Sequence, residues 1–187
     1  MGPNRASANI LAISGSSRRD SFNTRLAHLI GSLRPIDTVT VRNDLPRLPF
    51  YDADLEALGD PAAVTDLRQA VAAADLVVVV TPEYNGTVPG LLGNAIDWLS
   101  RPARQSVLRD KPVLVLSASP TPYGGARAAE HLRGVLNRIG AAVLPTGLAV
   151  GHAHQRLLGD QWDPQVVTDL ADLLAQTLNP QPLPIPA

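Results

Sequence analysis

The sequence predicts an α/β fold in which a five-stranded parallel sheet carries helices on both faces, forming a three-layer sandwich. Three observations predict it. Apolar runs alternate five times with segments at helical spacing, which a parallel sheet with crossover helices produces. The strongest run, Leu76 to Val80, is almost all valine without polar alternation, as in a central strand buried on both faces. The 187 residues are 45% hydrophobic and 18% charged, a size and make-up that suit one domain with an ordinary core, residues 1–187 with irregular tails at 1–8 and 179–187.

Ile10 to Ile13 reads as the first strand, and Phe22, Leu26, Leu29, Ile30 and Leu33 mark one face of the helix after it. Val39 and Val41 indicate a short second strand, followed by the proline-rich stretch Asp44 to Tyr51, expected as a surface loop. Pro61 to Ala74 predicts a helix leading into Leu76 to Val80. Pro89 suits a first helical position, and Leu92, Ala95, Ile96 and Leu99 define the next helix face. Val113 to Leu116 is the fourth strand. Leu132, Val135, Leu136 and Ile139 belong to a helix stopped at Gly140, Ala142 to Val150 to the fifth strand, and Val166, Leu170, Leu173 and Leu174 to a last helix before the proline-rich tail 179–187.

Composition narrows the functional classes. A formal charge of -1 and a pI near 6.4 leave no basic excess for a phosphate backbone, so no nucleic-acid partner is expected. Without cysteine there are no disulfides, thiolate metal sites or thiol nucleophile, and redox chemistry requires a bound cofactor. Met1 to Asn9 lacks the apolar core of a signal peptide, and Leu76 to Val80 is too short to cross a bilayer; a cytoplasmic protein with no membrane partner is expected.

Parallel sheets of this kind bind ligands beyond the carboxyl ends of their strands, where three polar loops fall. In the first, Ser14 to Asn23, a strand leads directly into a helix whose first amides carry unpaired donors. Serine hydroxyls and Arg18 add donors and charge, which suits a phosphate. On composition alone, Ser21 or Asn23 capping the helix of an ordinary loop is an equal alternative. The loop has neither the glycines of a dinucleotide fingerprint nor a Walker Gly-Lys pair, so a mononucleotide phosphate fits better. The second loop, Thr81 to Gly90, combines an aromatic, an amide and two prolines, offering stacking surface and fixed donors to a flat heterocycle. The third, Ser117 to Gly125, has glycines that permit close backbone approach to a planar ligand. Taken singly, Tyr84 is as readily a packing residue, and Glu83 is more often a solvated or helix-capping carboxylate.

Together these segments resemble the NADPH-dependent FMN reductase family, which includes quinone, azo dye and chromate reductases. Gly15 to Asn23 resembles its phosphate loop. Pro82-Glu83-Tyr84-Asn85, Pro89-Gly90-Leu91-Leu92 and Asn94 to Trp98 resemble its flavin loop and following helix, the more specific match. Leu48-Pro49 with Asp54-Leu55-Glu56, and Ser119-Pro120 with Gly124-Gly125, Arg127 and Leu132-Arg133, extend the resemblance over about residues 9 to 150.

The resemblance implies a flavodoxin-like fold with strand order 2-1-3-4-5, FMN as cofactor and NADPH or NADH as co-substrate. It implies hydride transfer to flavin N5 and onward to a small acceptor by a ping-pong mechanism, with no catalytic side chain. Ser16, Arg18, Ser21 and Asn23 are implied at the FMN phosphate, Pro82, Glu83, Tyr84 and Asn85 along ribityl and ring, and Ser117 and Gly124 at the ring's far edge, with Phe22 and Gly86 also cofactor-binding. A homodimer or homotetramer is implied, with the helices after strands three and four meeting; Trp98 is then a core or interface residue. Gly86 and Gly93 depart from the larger or basic residues of many relatives, which implies a wider acceptor pocket or weaker NADPH selectivity. A flavodoxin-type electron carrier and a non-catalytic flavin-binding module are the alternatives.

Other polar groups have plainer readings. His152 and His154 lack legible co-ligands and read as surface loop, so no metal is expected; His28 and His131 read as helix-surface or packing residues. Asp52, Asp54 and Glu56 read as a solvated loop or helix face, and Asp97 as a residue that caps, pairs or faces a partner subunit.

Overall fold

The computed structural model describes residues 7–178. Strands β1 (Asn9–Ser14), β2 (Thr38–Arg42), β3 (Leu76–Thr81), β4 (Pro112–Ala118) and β5 (Ala142–Val150) form one parallel sheet in the order β2-β1-β3-β4-β5. All six residues of β3 are buried, as its continuous apolar run predicted. The helices are α1 (Phe22–Leu33), α2 (Ala53–Ala57), α3 (Ala62–Ala73), α4 (Gly90–Leu99), α5 (Ala126–Arg138), α6 (Ala153–Arg156) and α7 (Pro164–Leu178).

Successive side chains of a strand face opposite ways, and the core divides accordingly. Ile10, Ala12, Val78, Val80, Leu114 and Leu116 pack against Leu26 and Ile30 of α1 and Leu170 and Leu174 of α7. Leu11, Ile13, Val77, Val79, Val113 and Val115 pack against Leu67 and Val71 of α3, Leu92 and Ile96 of α4, and Leu132 and Leu136 of α5. Each buried aliphatic side chain contributes about 1.5–3 kcal/mol relative to exposure, so both faces resist displacement of the strand ends that carry the loops. Among the described residues no helix is long and apolar enough to cross a membrane.

Some expectations are refined. The stretch Asp44 to Tyr51 is not simply a surface loop. Leu45 to Arg47 form a short 3-10 turn with Leu45 buried, and the Pro49 carbonyl accepts hydrogen bonds from Asn94 Nδ2 and Trp98 Nε1, both at 2.9 Å. Trp98 is consequently a core residue of its own chain, fully buried and edge-on to Tyr51 at 5.0 Å between ring centroids. Pro89 is the cap before α4, and Gly90 begins the helix. His152 and His154 flank and enter α6, followed by a small hairpin of β6 (Leu157–Leu158) and β7 (Gln161–Trp162). Asp52 caps α2, and Glu56 accepts a 2.8 Å hydrogen bond from the Tyr51 hydroxyl. That bond favours the neutral phenol and raises its pKa above the ordinary value. The expected irregular tail 179–187 lies outside the described residues, as do positions 1–6; residues 7 and 8 have no regular structure.

Candidate functional site

The loops after β1, β3 and β4 meet at one end of the sheet around a cleft of about 240 Å³. Of the residues singled out in the sequence, Ser16, Arg18, Ser21, Phe22, Asn23, Pro82, Glu83 and Tyr84 line it.

The first loop leaves donors facing that space. Ser21 caps α1, its hydroxyl oxygen accepting from the Thr24 N–H at 3.3 Å, and the Ser16 oxygen likewise accepts from the Arg18 N–H at 3.3 Å. Both hydroxyl hydrogens stay free to donate. Among the described residues the backbone N–H groups of Phe22 and Asn23, the first two of α1, have no acceptor. Arg18 donates to the Asp20 carbonyl at 2.6 Å, and its guanidinium carbon lies 5.3 Å from the Phe22 ring centroid, which holds its charge beside these donors. Hydroxyl donors, amide donors at a helix start and a guanidinium together fit a phosphate monoester.

Asn23 lies in this lining but is already engaged. Its buried amide donates to the Ala118 carbonyl and accepts from the Ala118 N–H, both at 2.9 Å, strapping the start of α1 to the end of β4.

The second loop contains a two-residue hairpin. Tyr84 and Thr87 exchange both backbone hydrogen bonds, at 3.1 and 3.0 Å, around Asn85 at φ 53° and Gly86 at φ 75°. Positive φ at both positions makes this the turn for which Asn-Gly is the preferred pair, a signal the sequence reading passed over. A Cβ on Gly86 or Gly93 would meet nothing within 4 Å, and Gly93 faces a groove between α4 and α5 rather than the cleft. Asn85 and Gly86 are exposed at the hairpin tip, outside the cleft lining, while Tyr84 presents its half-exposed ring at the rim.

The third loop differs most from expectation. Strand β4 continues through Ala118, so Ser117 still pairs with Thr81 and Ala149 and is wholly buried, its Oγ without a hydrogen-bond partner. Ala118, Ser119 and Pro120, the next residues along, line the cleft instead. Only the exact end of β4 distinguishes these from Ser117, and the apolar run does not mark it. Gly124 does approach backbone closely, but the backbone is the chain's own. A Cβ there would lie 2.7 Å from Val150 C and Gly151 N, so packing against the end of β5 by itself requires the glycine.

The chain matches the family model of NADPH-dependent FMN reductases over residues 8–155. It is 44% identical over 126 residues to a 2-hydroxy-1,4-benzoquinone reductase of a Burkholderia species, covering 67% of this chain and 68% of that one. Identity to a quinone reductase of Escherichia coli (strain K12) is 42% over 137 residues, 72% of each chain. The solved structure of FerB, a flavoenzyme NAD(P)H:(acceptor) oxidoreductase from Paracoccus denitrificans, superposes with a TM-score of 0.83 at 28% identity, covering 92% of this chain and 96% of that one. With the flavodoxin-like strand order and the family match over most of its length, the chain belongs to the NADPH-dependent FMN reductase family and is an oxidoreductase.

Proposed function

We propose that this protein holds FMN at the cleft and uses NAD(P)H to reduce a small acceptor, a quinone foremost, in two half-reactions that use the same open side in turn. The carrying observation is the set of unpaired donors at the start of α1, the Phe22 and Asn23 N–H groups with the Ser16 and Ser21 hydroxyls beside Arg18. Bound FMN supplies the hydride chemistry between the two substrates. The chain supplies binding and orientation. The donors and Arg18 neutralise the phosphate, Pro82 stiffens the wall, and the half-exposed Tyr84 leaves one side of the cleft open to a second flat molecule. Among the described residues no cluster of three metal-ligating side chains is present, and no step here calls for one. The quinone assignment is supported by the activities of the two similar reductases named above.

The test is reconstitution with FMN followed by anaerobic NADPH. The expected results are a flavin spectrum that bleaches, steady-state turnover with benzoquinones, and parallel double-reciprocal plots. Protein that stays colourless after FMN addition would overturn the reading, and intersecting plots would overturn the ping-pong order. Arg18→Ala is expected to weaken FMN binding about 10- to 100-fold, as for loss of a charge-assisted contact. A homodimer joined along the groove of about 260 Å³ between α4 and α5, lined by Val88, Gly93, Ile96, Leu132 and Val135, belongs to the same proposal. Sedimentation velocity checks it, and a monomer at micromolar concentration would refute it.

A further inference from the structure

Two hydrogen bonds tie the loop after β3 to the first turns of α5. Glu83 Oε2 accepts from the Ala128 N–H at 3.2 Å, and Thr87 Oγ1 lies 2.7 Å from His131 Nδ1. Ala128 and His131 are three apart and share one side of the helix. The hairpin from Tyr84 to Thr87 therefore spans two anchors on one rigid element.

The first anchor fills a gap in the sequence. The residue before α5 is Gly125, at φ 81°, which has no side chain to cap the helix. A serine or aspartate would ordinarily accept from the third helical amide, here that of Ala128. Glu83 performs that role from another loop, and its negative charge lies at the positive end of the helix dipole. A Cβ on Gly125 would sit 3.2 Å from Ser117 Cβ and 3.6 Å from Glu83 Cβ, so the missing side chain is what lets the second loop seat against the third.

We infer that Glu83 is a positioning residue: its carboxylate caps α5 across the cleft wall and so sets the hairpin that presents Tyr84, and it does not meet the cofactor with its charge. This rests on the FMN reading above. The capping bond needs only an acceptor oxygen, and the side-chain oxygen of Gln provides one, whereas a charge acting on the flavin is lost in Gln as fully as in Ala.

The experiment compares Glu83→Gln, Glu83→Ala and Asp163→Ala in full-length protein. Asp163 accepts from the Val166 N–H at the start of α7, outside the cleft lining, and controls for general loss of a helix cap. FMN dissociation constants are read from flavin fluorescence, amide hydrogen exchange at Ala128 from NMR, and the flavin midpoint potential from dye equilibration. Glu83→Ala is expected to weaken FMN about tenfold and to speed Ala128 exchange about tenfold, Glu83→Gln to stay within threefold on both with an unchanged potential, and Asp163→Ala to leave FMN affinity unchanged. Equal losses in Gln and Ala, a shifted potential in Gln, or wild-type affinity in Ala would each overturn the inference. Failure of the wild-type protein to bind FMN would instead overturn the reading on which it rests.

Discussion

Replacing Asn23 by Ala separates a structural strap from a phosphate ligand. The Asn23 amide is the hydrogen-bond partner of both the N–H and the C=O of Ala118, a residue 2% exposed at the end of β4. Truncation orphans both groups, and a buried orphan costs about 1–3 kcal/mol, so two cost about 2–6 kcal/mol. Both residues line the cleft, where water can partly replace the amide. The expected loss is accordingly in the lower half, about 2–4 kcal/mol. Urea unfolding of FMN-free protein measures it as a lowered midpoint at unchanged slope. Asn23→Asp is expected to be no better than Ala, because one carboxylate oxygen still accepts from the Ala118 N–H while the other opposes its carbonyl. An apo-protein stability change below about 0.5 kcal/mol, combined with a large loss of FMN affinity, would refute the strap and make Asn23 a ligand.

Gly86→Ala is expected to cost about 1–2 kcal/mol in thermal unfolding, through the left-handed φ of 75° alone since its Cβ would meet nothing; Gly86→Asn recovers most of that. Gly124→Ala adds a clash with the backbone of Val150 and Gly151 to the same kind of strain and is expected to exceed about 3 kcal/mol, visible as poor recovery of folded protein. Hydrogen bonding from Arg156 holds the Asp163 carboxyl below its ordinary value of 3.8. A lowered folded-state pKa means the stabilisation is fully present above that value and is lost as pH falls through the lower folded one. Acid unfolding of Asp163→Asn is therefore expected to show a shallower limb below about pH 4 than wild type; identical limbs would refute the pairing.

The layered sheet was legible because its signals are local. The apolar runs of β1, β3 and β4 and the helical spacing of Leu132, Val135, Leu136 and Ile139 each follow from burial on one or two faces, while the edge strands β2 and β5 are only partly covered. The three loops were legible for the same reason, since a parallel strand must deliver its loop to the carboxyl edge. The contents of Asp44 to Tyr51 were not. Prolines and charges mark that stretch as irregular, but that Leu45 is buried and the Pro49 carbonyl serves Trp98 depends on where α4 packs, some 49 residues along the chain.

The same division runs through the site. The sequence by itself determined which residue types gather at the sheet edge, and that a strand-to-helix loop with Ser16, Arg18 and Ser21 suits an anion, because helix starts expose donors whatever surrounds them. Only the tertiary structure decided how each side chain is used. It turned Asn23 toward Ala118, sealed Ser117 under Gly125, set Gly124 against β5 and sent the Glu83 carboxylate to α5. A buried polar group bonds to whichever partner folding brings within reach, and these partners lie on other elements, up to 95 residues away for Asn23.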